Sequence, residues 1–394
     1  MKQKICQGFK LSGVTAGLYN NEKKDVGLIL STVPANAAGL FTKNRVKAAP
    51  VLIDLDRIKS GICRAVIVNS GNANCCTGDQ GIEHAHAMTQ YAASELNIPE
   101  QQVLVASTGV IGEPLQIEKI ENAVPLLVKS LSDKGVSDFA QAIMTTDTAP
   151  KIVTRYGDFN GKRFTVTGVA KGSGMMKPDM ATMLCFLLTD IQMPSDILKQ
   201  VLITGADRSL NRITIDGDTS TNDTVLLLAN GLSEVSINSS SQAESFQTVI
   251  DQALLELAKQ LVRDGEGATK FVEVIVRGAK SDKDARCIAD TIADSSLVKT
   301  AFFGEDANWG RILCAAGRAG VEIQPESVDL FFDDVQMVKQ GVGCGKHAES
   351  KATDVLKKQE FNVTVNLNMG KGCASVLTCD FSLDYVNINA DYRS

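Results

Sequence analysis

The sequence predicts a mixed α/β protein, with layered mixed β-sheets flanked by helices. Three observations carry that expectation. Short β-branched apolar runs end in loops rich in glycine, asparagine and threonine, an arrangement that places sites at strand ends. Stretches with helical spacing of apolar residues alternate with those runs. At 394 residues, 44% hydrophobic and 22% charged, the chain is long enough to bury a large core as two or three packed units.

In chain order, "DVGLILSTVPANAAGLFTKN" reads as a strand followed by a small-residue turn. "CRAVIVNSGNANCCTGDQG" is a strand running into a glycine–asparagine loop, and a helix follows through "IEHAHAMTQYAASELN". "QQVLVASTGVIGEPL" repeats the pattern of strand and glycine turn, and residues 115–144 read as helical. "RFTVTGVA" is a strand and "SDILKQVLITGADRSLNRI" a helix. The second half holds the helix "AESFQTVIDQALLELAKQLVRDG", the strand "KFVEVIVRGA" and the helix "SDKDARCIADTIADSSLVKTAFFG". Alternation over 361–367, and again near 374–382, predicts a terminal hairpin.

Composition excludes several function classes. A net charge of −6 argues against a broad nucleic-acid footprint, which is usually basic. The early lysines precede no apolar segment of the signal-peptide kind, and no apolar run approaches the roughly 18 residues that span a bilayer. The expectation is a cytoplasmic protein without membrane or nucleic-acid partners. Ten cysteines then read as reduced thiols, and with only His84, His86 and His347 no metal site is expected. Cys75–Cys76 has the wrong spacing for zinc.

The segment "KGSGMMKPDMATMLCFLLTD" (171–190) sets a glycine-rich basic loop against an apolar run. Three readings of Thr182 at that join compete. As a helix N-cap it would precede a helical "MLCFLL". A phosphate loop fits poorly, because Gly172 and Gly174 are two apart and Lys177 precedes a proline. The third reading is a nucleophile. "STGVIG" (107–112) supplies a hydroxyl and a glycine amide suited to an oxyanion, and "MTTDT" (144–148) adds hydroxyls and a carboxylate. "RDGEGATK" (263–270) sets Glu266 between glycines that permit close backbone approach to a ligand. With Lys171 but no catalytic histidine, that inventory suits acyl transfer on a threonine better than hydride or phosphoryl transfer.

"GFKLSGVTAG", "FTKNRVKAAPV", "NSGNANCCTG", "STGVIG", "TTDT", "AKGSGMMKPDMATMLCF", "DGDTSTNDT", "DGEGATK", "FGEDANWGRI" and the terminal "YVNINADYRS" follow one another in that order. Together they resemble the ornithine acetyltransferase (glutamate N-acetyltransferase) family of arginine biosynthesis over essentially the whole chain. The resemblance implies a precursor that cuts its own Ala181–Thr182 bond. The products are an α chain, 1–181, and a β chain, 182–394, with a C-terminal α+β subdomain at about 271–394. Thr182 becomes the N-terminal nucleophile, its freed α-amine serving as base, since an α-amino group has a reference pKa of about 7.7–8.0. Thr108 and Gly109 match the family's oxyanion pair.

By the same resemblance, Thr145, Lys171, Thr182, Glu266, Asn389 and Ser394 contact substrate. Charge suggests Glu266 for an ammonium group and Lys171 for a carboxylate. "NSGNANCCTG" and "DANWGR" are expected to be structural loops, with Trp309 at a packing corner. The implied fold is that of the autoproteolytic aminopeptidase/ornithine acetyltransferase group (the DmpA-like fold), assembled as a heterotetramer of two α and two β chains. The implied activity is acetyl transfer from N-acetyl-L-ornithine to L-glutamate, with no cofactor. A bifunctional enzyme would also accept acetyl-CoA as a substrate. An autoproteolytic aminopeptidase or amidase, and a non-enzymatic binding protein, are the remaining alternatives.

Overall fold

A computed structural model describes residues 5–19, 22–177 and 183–391. The chain divides into two compact units, residues 1–211 with 218–261, and residues 212–217 with 262–394.

The first unit is built on an eight-stranded mixed sheet. Across it run Val103–Ser107, Ile62–Asn69, Val26–Phe41, Thr224–Ala229, Leu184–Thr189, Lys162–Lys171 and Lys151–Phe159, with Phe9–Val14 paired to Val26–Phe41. Alternate residues of each strand enter different cores, as a side-chain period of two requires. Ala65, Ile67, Val103 and Val105 pack with Met88, Ala92, Ile120 and Leu127 of the helices Gly78–Leu96 and Ile117–Lys129. Val66, Val68, Leu104 and Ala106 join Phe186, Leu188, Leu226 and Phe139, where the Phe139 and Phe186 rings meet edge to face at 5.5 Å. Because the sheet is covered on both faces, its central strands Leu184–Thr189 and Thr224–Ala229 are buried at every residue.

That burial corrects one reading of the sequence. Leu184–Thr189 is a strand and not the helix that an N-cap reading of "MLCFLL" required. A short continuous apolar run is periodically ambiguous, and here sheet pairing decides it. The turn expected after "DVGLILSTVP" is likewise a single strand, Val26–Phe41, with a register shift between Leu30 and Ala35. Pro34, which has no N–H for a ladder, lies in that irregular stretch. Beyond it Ala35 and Asn36 still pair with Cys63 and Ile62, where that partner strand ends, and Asn36–Phe41 pairs with Thr224–Ala229.

The second unit has a seven-stranded sheet in the order Val342–Gly343, Val335–Lys339, Asp329–Phe332, Glu360–Asn366, Phe271–Ala279, Gly372–Cys379, Ile213–Thr214. The expected terminal hairpin is absent. Glu360–Asn366 and Gly372–Cys379 flank Phe271–Ala279 instead, the first parallel to it and the second antiparallel. The long helix expected over 281–304 breaks into Asp282–Ala293, capped by Ser281, and Ser296–Phe303. Both contribute to a core with Val274, Phe302, Phe332 and Phe361. Trp309 opens the helix Trp309–Gly317 and packs on this core, with Asn308 capping the helix. No helix among the described residues is long and apolar enough to cross a membrane.

Candidate active site

Thr108 and Gly109 follow the buried strand Val103–Ser107 and form a turn locked from several sides. The Thr108 N–H donates to the Asn69 carbonyl (3.0 Å), the Ala73 N–H to Val110 (2.9 Å) and the Gly112 N–H to Cys75 (3.0 Å). Asn222 Nδ2 donates to the carbonyls of Ser107 (2.8 Å) and Ala73 (2.6 Å), tying both loops to a third. Asn72 Nδ2 donates to the Glu113 carbonyl (3.0 Å), and Ser107 Oγ to Asn69 Oδ1 (2.6 Å). "NSGNANCCTG" is thus the scaffold of the turn, by side-chain bonding to its backbone.

Gly109 has to be glycine. Its φ is +136°, and a Cβ there would stand 2.3 Å from the Gly71 carbonyl carbon and 2.5 Å from the Asn72 nitrogen. Its N–H is given to no acceptor among the described residues.

Lys171 closes the strand Lys162–Lys171 and is 7% exposed. Its Nζ donates to Thr145 Oγ1 at 2.8 Å and, at longer range, to Thr108 Oγ1 at 3.5 Å. Since the ammonium can only donate, both hydroxyl protons stay available for another acceptor. In the sheet Lys171 is paired with Leu184, and the Met183 carbonyl accepts the Thr224 N–H (2.9 Å). Leu184, two residues after the expected nucleophile, is therefore held beside Lys171, while Met183 is tied to Thr224.

Asp147, the carboxylate of "MTTDT", is the anchor of this cluster. Its carboxylate accepts from the Gly172 N–H (2.6 Å), Lys151 Nζ (2.7 Å) and the Thr145 N–H (3.0 Å), with Lys171 Nζ at 3.7 Å. Burial acts to raise its pKa, but Lys171 and Lys151, helped by the Thr145 N–H, hold it well below the usual carboxylate range. Lys23 Nζ donates to the Thr145 carbonyl (2.6 Å). Burial lowers the Lys23 pKa, Asp147 opposes that, and Lys171 adds to it. Three ammonium groups around one carboxylate make the site electropositive, which suits a carboxylate ligand or a developing oxyanion. The spacing of Asp147 and Lys151 in "TTDTAPK" was the available signal.

Glu266 and Asn389 meet in the second unit. Asn389 Nδ2 donates to Glu266 Oε2 at 2.8 Å, and Glu266 is 6% exposed. The close approach expected beside Glu266 is made by the protein itself: a Cβ on Gly267 (φ +66°) would lie 2.5 Å from the Tyr385 nitrogen, at the start of the helix Leu383–Ala390. Asp380 clamps the same loop, accepting from the Thr269 N–H (2.8 Å), Thr269 Oγ1 (2.6 Å) and the Lys270 N–H (2.9 Å). Ala181, Thr182 and Ser394 lie outside the described residues. No group of three or more His, Cys, Asp or Glu able to hold a metal occurs among the described residues.

The ArgJ family pattern matches residues 10–394. The chain belongs to the ArgJ family. The arginine biosynthesis bifunctional protein ArgJ of Geobacter sulfurreducens is 51% identical over 390 residues, 98% of this chain and 99% of that one. Its counterpart from Desulfotalea psychrophila is 50% identical over the same shares. A solved chain of the arginine biosynthesis bifunctional protein argJ from Bacillus halodurans is 41% identical, covering 46% of this chain and 95% of its own, with a TM-score of 0.44. For this ArgJ-family chain, the first unit supplies a locked turn with a hydroxyl and a backbone N–H, and a buried lysine at the end of a strand.

Proposed function

We propose that the protein is a self-cleaving acetyltransferase that moves the acetyl group of N-acetyl-L-ornithine to L-glutamate through an acetyl-Thr182 ester. The carrying observation is the cluster of Thr108, Gly109, Thr145 and Lys171 beside the strand that begins at Leu184, in a chain of the ArgJ family. Cleavage of the Ala181–Thr182 bond converts the Thr182 nitrogen from an amide into an amine. That neutral amine takes the hydroxyl proton as Thr182 Oγ attacks the acetyl carbonyl carbon. The carbonyl electron pair moves onto oxygen, where the Thr108 hydroxyl and the Gly109 N–H stabilise it. Collapse breaks the C–N bond, the ammonium returns the proton to the leaving nitrogen, and ornithine departs.

The amine of glutamate then attacks the ester. Its proton returns to Thr182 Oγ through the same α-amine, and N-acetylglutamate is released. Lys171 and its electropositive neighbours would receive a substrate carboxylate, while Glu266, oriented by Asn389, would receive a substrate ammonium. Ser394 completes the proposed contacts. No cofactor takes part, the substrates are small molecules, and the cleaved pairs assemble as a heterotetramer of two α and two β chains in the cytoplasm.

The sheet of the first unit supports lasting association of the two cleaved chains. Leu184–Thr189 and Thr224–Ala229, both after the cut, lie between Lys162–Lys171 and Val26–Phe41, both before it. Six residue pairs join them on each side. Separation would expose two strands buried at every residue.

A second reading, use of acetyl-CoA as an additional donor to the same threonine, is favoured by the word bifunctional in the relatives' names. A donor–acceptor panel tests both: acetylornithine with glutamate, acetyl-CoA with glutamate, and acetylornithine with water. Transfer in the first pair supports the main reading, and transfer in the second adds the bifunctional one. Reaction with water alone would make the protein a hydrolase.

A further inference from the structure

Cys75 and Cys76 lie in the scaffold loop, outside the proposed chemistry. Their Sγ atoms are 3.8 Å apart, Cys75 buried and Cys76 exposed. Cys76 is held at φ +59°, a conformation that non-glycine residues seldom adopt and that persists only where surrounding structure fixes it. The fixing contacts are those that build the turn of Thr108 and Gly109. The Gly112 N–H donates to the Cys75 carbonyl (3.0 Å), the Ala73 N–H to Val110 (2.9 Å), and the Ala49 N–H to the Asn74 carbonyl (3.1 Å). Cys75 itself packs with Ala48, Ala73 and Ile111.

The geometry points to a vicinal dithiol site for trivalent arsenicals and similar soft, thiophilic ligands, coupled mechanically to the proposed oxyanion turn. A hydrated organoarsenic(III) oxide, R–As(OH)2, exchanges both hydroxides for the two thiolates. Two As–O bonds break, two As–S bonds form, and the thiol protons leave with the hydroxides as two waters. Arsenic stays trivalent, so neither oxidant nor reductant is needed. The exposed Cys76 reacts first, and Cys75 must then turn outward to close the ring. That movement leaves the small cluster with Ala48, Ala73 and Ile111 and strains the Cys75–Gly112 and Ala73–Val110 bonds, which fix the backbone directly after Gly109.

The experiment uses the purified protein and phenylarsine oxide as the probe, read by intact and peptide mass spectrometry and by turnover of acetylornithine with glutamate. The expected result is one phenylarsenic adduct on the peptide holding residues 75 and 76, retained in excess 2-mercaptoethanol and removed by 2,3-dimercaptopropanol. Turnover should fall in proportion to occupancy by about tenfold or more, since one oxyanion donor is worth about 10²–10³ in kcat. Cys76→Ser and, separately, Cys75→Ala should fold, lose the monothiol-resistant adduct and resist inhibition. An adduct stripped by 2-mercaptoethanol, or equal labelling of both variants, would overturn the site. Labelling at full occupancy without loss of turnover would overturn its coupling to Gly109. The labelling arm does not depend on the reaction proposed above, so failure of that reading leaves it intact.

Discussion

Asp147→Asn isolates the most consequential charge in the proposed site. The Asp147 carboxylate bonds Lys151 Nζ at 2.7 Å, with the two side chains 0% and 2% exposed. Removing one partner of such a buried pair costs about 3–5 kcal/mol, because the other charge is left buried and uncompensated. In a unit of this size that lowers the melting temperature on the order of 10 °C. Asp147→Asn/Lys151→Met removes both partners of the shorter ion pair and should recover part of that loss, since Lys171 stays buried without its counter-ion. Activity should not recover with it. Lys171 Nζ, 3.7 Å from the same carboxylate, has lost its counter-ion, and the Gly172 N–H has lost its charged acceptor. We expect the double variant to melt above Asp147→Asn yet to stay below wild type in kcat by about tenfold or more, the loss of one to two charge-assisted hydrogen bonds. Differential scanning calorimetry beside steady-state kinetics reads both. Recovery of stability and kcat together would refute the reasoning and reduce Asp147 to a partner for Lys151.

Other perturbations have equally definite outcomes. The Asp147 carboxyl is held below its unfolded value, so its contribution to stability is present above the unfolded pKa of about 3.9 and is lost as the pH falls towards the folded value. The melting-temperature gap between wild type and Asp147→Asn should therefore be flat from pH 5 to 8 and narrow below about pH 4. Thr108→Ala should lower kcat by about 10²–10³ with little change in KM, and an effect confined to KM would assign Thr108 to substrate binding instead. Deleting Ala390–Ser394 should impair acetylornithine turnover and leave self-cleavage intact on denaturing gels, whereas full activity would remove the tail from the site. Phe186→Ala, at the ring contact with Phe139, should cost about 3–5 kcal/mol in chemical denaturation.

Much of the fold was legible because its strands are written as β-branched runs. "CRAVIV", "VLVAS", "RFTVTGVA" and "FVEVIVRGA" all lie in strands: the first sheet is covered on both faces and reads as continuous apolar runs, while Phe271–Ala279 alternates buried with part-buried residues. What escaped the sequence was non-local pairing. Nothing near Glu360–Asn366 says that Phe271–Ala279, some ninety residues earlier, separates it from Gly372–Cys379. Val26–Phe41 was misread because its proline and small residues imitate a turn, while the strand changes partners across them.

The site divides in a similar way. Thr108, Gly109, Thr145 and Lys171 were named by resemblance, and the structure gathers the hydroxyls of Thr108 and Thr145 around the Lys171 ammonium group. Asp147, Asp380 and Asn222 act through backbone bonds and burial. Those roles depend on which distant segments converge, and residue type alone does not encode that.

The proposed reaction stands on the covalent intermediate at Thr182. Its most direct measurement is the intact mass of the denatured protein after incubation with N-acetylornithine alone. Two chains are expected, 1–181 and 182–394, with one acetyl group gained by the second and mapped to its N-terminal threonine. Thr182→Ala should give one uncut, unacetylated chain. Full turnover by an uncut wild-type chain, or by a chain acetylated only elsewhere, would contradict it.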